Sequence, residues 1–148
     1  MRIFLLIFIF LLSSCGYQPL YSSKDANKFL FKEIEILGDK NINRNLIASS
    51  FLKQDDQNFT YEKLILKNSK KIIETSKNSK GQPESYRMTI DLEVTIINEQ
   101  KTLKKKIFSE EFSYKNLDNK FDLYEYEINV QNDLINKITE ELIIYLNL

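Results

Sequence analysis

Apolar and polar positions alternate most strictly between Tyr86 and Ile97 (YRMTIDLEVTII). Tyr86, Met88, Ile90, Leu92, Val94 and Ile96 point one way; Arg87, Thr89, Asp91, Glu93 and Thr95 point the other. That pattern predicts a strand with one buried and one wet face, as in an antiparallel sheet. Three further segments read as strands. Phe29 to Leu37 is rich in aromatic and β-branched residues, with Ile34 and Ile36 inward and a slip near Lys32 that suggests a bulge. Phe59 to Thr75 is long and irregular, and Thr102 to Tyr114 places Phe108, Phe112 and Tyr114 on one face. Between them lie the polar stretches Gln54 to Asn58, Ser76 to Pro83 and Asn98-Glu99-Gln100, which read as loops and turns.

Two segments carry helical spacing instead. Ile42, Leu46, Ile47, Phe51 and Leu52 form a stripe over Asn41 to Leu52, with Asp39 or Asn41 as the cap. After a loop at Asn116 to Lys120, a long helix runs to the C-terminus on Phe121, Tyr124, Ile128, Ile135, Ile138, Leu142, Tyr145 and Leu146, capped by Asp118 or Asn119. Asp122, Glu125 and Glu127 suit its positive N-terminal end. The order β-α-β-β-β-α over 29–148 predicts a single α+β domain. It would be a two-layer sandwich, with a four-stranded, mainly antiparallel sheet packed by two helices.

The N-terminus has a different pattern. Met1-Arg2 is followed by an unbroken apolar run from Ile3 to Leu12. Spanning a ~30 Å hydrocarbon core takes about 20 residues, so the run is too short for that and suits a signal peptide. Leu12-Ser13-Ser14-Cys15 resembles the bacterial lipobox, whose Cys receives acyl chains after cleavage. The alternative is an ordinary signal peptide or signal anchor with a Cys beside it. Cys15 is the sole Cys and sits at the required offset. Residues 1–14 therefore read as a lipoprotein signal peptide, Cys15 as the lipid attachment site and 15–28 as an extended leader. More than one acyl chain holds a protein stably on a bilayer. Gly16, in place of Asp, resembles sorting to the outer membrane, with the domain facing the periplasm.

Composition narrows the chemistry. The chain of 148 residues is 43% hydrophobic, so it can build a core. It has no His and one Cys, which excludes His/Cys zinc sites, His-based triads and an internal disulfide. Three Gly leave no dinucleotide fingerprint and no P-loop. Lys+Arg and Asp+Glu are both 21, so charge offers no argument for nucleic acid. Glu110-Glu111 and Glu140-Glu141 are adjacent carboxylates that point apart on a strand or helix. A tethered hydrolase is thus the weakest reading. The sequence indicates no enzyme, no cofactor and no metal.

Cys15-Gly16-Tyr17-Gln18-Pro19-Leu20-Tyr21 resembles the start of the LPS-assembly lipoprotein LptE family, in its alphaproteobacterial form. The β-α-β-β-β-α layout is similar over the whole mature chain, including Ser113-Tyr114 before the long helix. The resemblance implies a non-catalytic plug of the LptD-type outer-membrane β-barrel. Such a plug helps the barrel assemble and contacts lipopolysaccharide during transport to the outer leaflet. The alternative is an unrelated outer-membrane or periplasmic lipoprotein serving as adaptor or assembly factor of another envelope complex. Lys67, Lys70, Lys71, Lys77 and Lys80 gather around the hairpin between the second and third strands, opposed by Glu74 alone. They and Arg87, on the wet face, are candidate contacts for lipopolysaccharide or a partner carboxylate. The plainer reading of the lysines is a solvated hairpin. Lys101, Lys104, Lys105 and Lys106 read as guards of an edge strand. Tyr17 and Tyr21 suit a membrane interface or the barrel.

Overall fold

The computed structural model describes residues 29–49 and 52–147. Its elements are β1 (Leu30–Leu37), α1 (Lys40–Ser49), β2 (Lys53–Gln54), β3 (Tyr61–Lys77), β4 (Pro83–Asn98), β5 (Lys101–Lys115) and α2 (Lys120–Leu146). The fold is α+β, with one mixed sheet in the order β2-β1-β3-β4-β5. β3 and β4, and β4 and β5, run antiparallel as successive hairpins. β1 pairs in parallel with both β3 and β2.

The sheet therefore has five strands, not four, and is mixed. The extra strand, β2, falls where the sequence reads as the start of a polar loop. Its pairing is main-chain: Lys53 N donates to Phe29 O at 3.1 Å and Asp55 N to Phe31 O at 3.0 Å. Such pairing leaves no hydrophobic pattern to read. Beyond it, Asp55 Oδ1 accepts from the N–H groups of Gln57 and Asn58, which holds its carboxyl below the ordinary carboxylate range. The parallel β1–β3 pair needs a crossover, which α1 and its loop provide. The expected bulge near Lys32 is not a register shift, because the pairing keeps one register from Phe31↔Tyr61 to Leu37↔Lys67.

One face of the sheet is covered by both helices. Met88, Ile90, Leu92, Val94 and Ile96 of β4 are buried there, as their alternation requires. Leu64 and Leu66 of β3 and Phe108 and Tyr114 of β5 join them. Fully burying such a side chain contributes about 1.5–3 kcal/mol. Phe112 shares that face but stays 43% exposed at the rim of the sheet.

α1 contributes Ile42 and Leu46 and ends at Ser49, short of Leu52. Its cap is Asp39, whose Oδ1 accepts from Asn41 N at 2.8 Å and Ile42 N at 3.1 Å. Asn119 caps α2 by accepting from Phe121 N. α2 buries Leu123, Val130, Leu134, Ile135, Ile138, Leu142 and Leu146. Phe121, Tyr124 and Ile128, expected on the inner stripe, are 64%, 62% and 40% exposed. The inner stripe passes instead through Leu123, Glu127 and Val130. Glu127 is polar but accepts the Tyr114 hydroxyl at 2.7 Å, so an inward position carries a charge-bearing residue and breaks the apolar pattern.

Candidate functional site

The β3–β4 hairpin joins the two longest strands among the described residues. Residues 69–82 are all exposed. At its tip Asn78 Oδ1 accepts from Lys80 N and Gln82 N at 3.0 Å each, and Gly81 N donates to Asn78 O. This Asx-centred network fixes the turn that carries Lys80. Hydroxyls of Thr75, Ser76 and Ser85 bond across the strands just below.

The ladder separates the candidate cations into three groups. Lys67 and Lys71 stand on the open face, opposite Glu93 and Thr89. Lys77 and Lys80 belong to the tip, where Lys77 pairs with Glu74 at 3.0 Å. Lys70 points to the helical face and donates to Gln131 of α2 at 2.8 Å. The single basic cluster read from the sequence is thus divided by the two-residue period of β3, and Glu93 joins Glu74 in opposing it. Arg87 lies on the open face with Ile73 and Ser113 as its cross-strand neighbours. Its Nε donates to Ser113 Oγ at 3.2 Å, and Nη1 lies 3.5 Å from Glu111 Oε1. The pair is largely exposed, so it contributes about 0–1 kcal/mol and leaves the guanidinium open to exchange partners. What results is a mixed-charge sheet face leading to a basic, hydroxyl-rich tip. It can meet phosphates, sugars or a polar protein wall as point charges and hydrogen bonds.

A second feature has no counterpart in the pattern of the chain. Between α1 and α2 lies a cleft of about 360 Å3, lined among others by Arg44, Asn45, Lys70, Tyr124, Gln131 and Asn132. Asn45 donates to Asn132 at 2.7 Å across it. Two cations, the Glu127 carboxylate and several carboxamides line it, which suits a polar, hydroxylated group. Residues from two helices and a strand meet in this cleft, so no local pattern along the chain marks it. Among the described residues, no group of three His, Cys, Asp or Glu is placed to hold a metal, and no helix is long and apolar enough to cross a membrane. Cys15, Tyr17 and Tyr21 lie outside the described residues.

No family model matches this sequence, and no curated protein matches it significantly. Solved structures do match its fold. The rare lipoprotein B of Shewanella oneidensis is 10% identical with a TM-score of 0.56, covering 78% of this chain and 93% of that one. A minor lipoprotein of Acinetobacter baumannii is 13% identical with a TM-score of 0.53, over 78% and 88% of the two chains. A neuraminyllactose-binding hemagglutinin homolog of Helicobacter pylori is 10% identical with a TM-score of 0.51, over 81% and 86%. The fold of this chain is one that bacterial lipoproteins use.

Proposed function

We propose that this protein is an outer-membrane lipoprotein of the LptE type, anchored through Cys15. In this reading it acts as the non-catalytic plug and assembly partner of an LptD-like β-barrel in lipopolysaccharide transport. The observation that carries the reading is the lipobox continued by Gly16-Tyr17-Gln18-Pro19-Leu20-Tyr21, on a chain whose fold is similar to that of a rare lipoprotein B. The anchor keeps the domain against the inner surface of the outer membrane. The barrel lumen is polar, so a plug with a mixed-charge open face fits it without a greasy surface. Lys67, Lys71 and Arg87 on that face, with Lys77 and Lys80 at the tip, are the contacts offered to the barrel wall or to lipid A phosphates. Lys70 belongs to the cleft on the other side and would act there.

The test is a mild-detergent pull-down of the tagged full-length chain from its own envelope, with mass spectrometry of what comes along. A large barrel protein in equimolar amount is the expected result. A lipidated Cys15 with a different stoichiometric partner would replace this reading with that of an adaptor for another envelope complex. Arg87→Ala is expected to weaken lipopolysaccharide binding several-fold. Unchanged binding would remove Arg87 from the contact set.

A further inference from the structure

The sheet ends on β5, a strand of 15 residues whose outer edge carries no partner strand among the described residues. Such an edge offers a row of unpaired N–H and C=O groups to another chain. Its side chains are not distributed as simple guards. Lys104, Lys105 and Lys106 occupy one side of Phe108, and Glu110 and Glu111 the other. We propose that β5 is a self-complementary docking edge, and that a second copy of this chain pairs with it antiparallel in a register centred on Phe108. The proposal is independent of the barrel reading and concerns the chain free of other partners.

Charge complementarity selects both the occupant and the register. A two-fold axis perpendicular to the sheet sets residues at equal distances from the centre opposite each other. Centred on Phe108, Lys106 meets Glu110 and Lys105 meets Glu111, and symmetry repeats both pairs. Lys101 meets Lys115 only at the ends. Centring on Ile107 loses both of these pairings and makes a single different one, Lys104 with Glu110, with its symmetry mate. Centring on Lys105, Lys106 or Glu110 sets a like charge against itself. Centring on Ser109 makes no opposite-charge pair. Opposite charges across a ladder stabilise it and like charges oppose it, so one register stands apart from its neighbours.

The charges of the existing sheet extend the same order. Lys105 Nζ lies 3.2 Å from Glu93, and Glu111 lies 3.5 Å from Arg87. Across the seam the open face would read Glu93, Lys105, then Glu111 and Arg87 of the second copy, alternating in sign. On the helical face Lys106 sits 4.5 Å from the Phe108 ring centroid, already held beside the central residue. At the centre Tyr145 of α2 packs edge-on against Phe108, with ring centroids 5.7 Å apart, and the room on this face lies toward Phe112. Phe112, 43% exposed, borders an open groove beside Tyr126, Val130 and Leu134 of α2, so the helix is set back from the strand there. Ile107, 60% exposed on the other face, would be covered opposite Ser109 of the second copy.

The test is sedimentation equilibrium of the full-length chain in mild detergent, with circular dichroism confirming the fold of each variant. The chain is expected to reach a protein mass twice that of one copy as concentration rises. E110K/E111K makes every charged residue of the strand basic, and K105E/K106E sets Glu pairs on both sides of Phe108. Each variant alone should self-associate at least tenfold more weakly. Mixed in equal amounts, the two should form a heterodimer, because the pairs formed by positions 105, 106, 110 and 111 are then again of opposite sign. A wild-type chain that stays monomeric overturns the proposal. So does a dimer unmoved by either reversal, which would lie on another surface, or a mixture that fails to associate.

Discussion

Gly38 joins β1 to α1 at φ +111, a conformation that residues with a Cβ rarely adopt. A Cβ there would also run into the carbonyl oxygen and side-chain oxygen of Asn68. Asn68 is 3% exposed and ties this corner together. Its Nδ2 donates to Leu37 O at 3.1 Å and to Asn43 Oδ1, and its Oδ1 accepts from Asp39 N at 2.9 Å. Gly38→Ala should therefore lower stability by about 3 kcal/mol or more, since backbone strain and overpacking each cost about 1–3 kcal/mol. Urea unfolding of the variant measures it. Tyr114 is buried on the helical face of β5. Burial, then its bond to Glu127, pushes the phenol well above the ordinary tyrosine range, so it stays a neutral donor. A raised folded pKa means that its stabilisation is complete below the unfolded value near pH 10 and is lost as pH climbs past it. Tyr114→Phe should cost about 1 kcal/mol at pH 7. It should also flatten the alkaline loss of stability relative to wild type, which denaturation at pH 7 and about pH 11 compares. The side-chain bonds of Asn68 and Tyr114 are not legible in the sequence, because their partners are 29 and 13 residues away.

Among the elements, β4 was read almost to its ends. It is flanked on both sides by strands and covered on one face, so the period of two survives along its whole length. α2 is legible as a helix, with Asn119 one of its two candidate caps, but part of its inner stripe is displaced, because Glu127 occupies an inward position. β2 could not be read at all, being held by main-chain bonds. The β4–β5 connection illustrates what the strands impose on a turn. Glu99 and Gln100 sit at φ 49 and 62, both left-handed. Two consecutive positive φ values match the twist of a tight hairpin, and Asn-Gly is the pair that adopts them with least strain. Gln100→Gly is therefore expected to raise stability by about 1 kcal/mol. The signature would be a higher urea midpoint with an unchanged slope.

For the whole molecule, the core lies where two helices cover the middle of the sheet, and the β3–β4 arm runs past it. Residues 69–82 are exposed throughout, while Leu64, Leu66, Leu92, Val94 and Ile96 are buried. Local opening follows buried contact, so the amides of 72–84 should exchange with deuterium well before those of 64–66 and 92–96. Native-state exchange followed residue by residue checks this. Equal protection along β3 and β4 would mean that the arm is held by more than its own ladder. The sequence by itself determined the α+β class, the order of the longer elements, the inward face of β4, two candidates for each helix cap and the absence of His and Cys from residues 29–148. These depend on neighbours a few positions apart, whose period and capping geometry are local. Only the tertiary structure decided the parallel β1–β3 pairing, the fifth strand, the splitting of the lysines between two faces and a tip, and the meeting of Arg44 with Lys70 between the helices. Those depend on register and packing between segments distant in the chain, and a change of one residue in register would move every side chain to the other face.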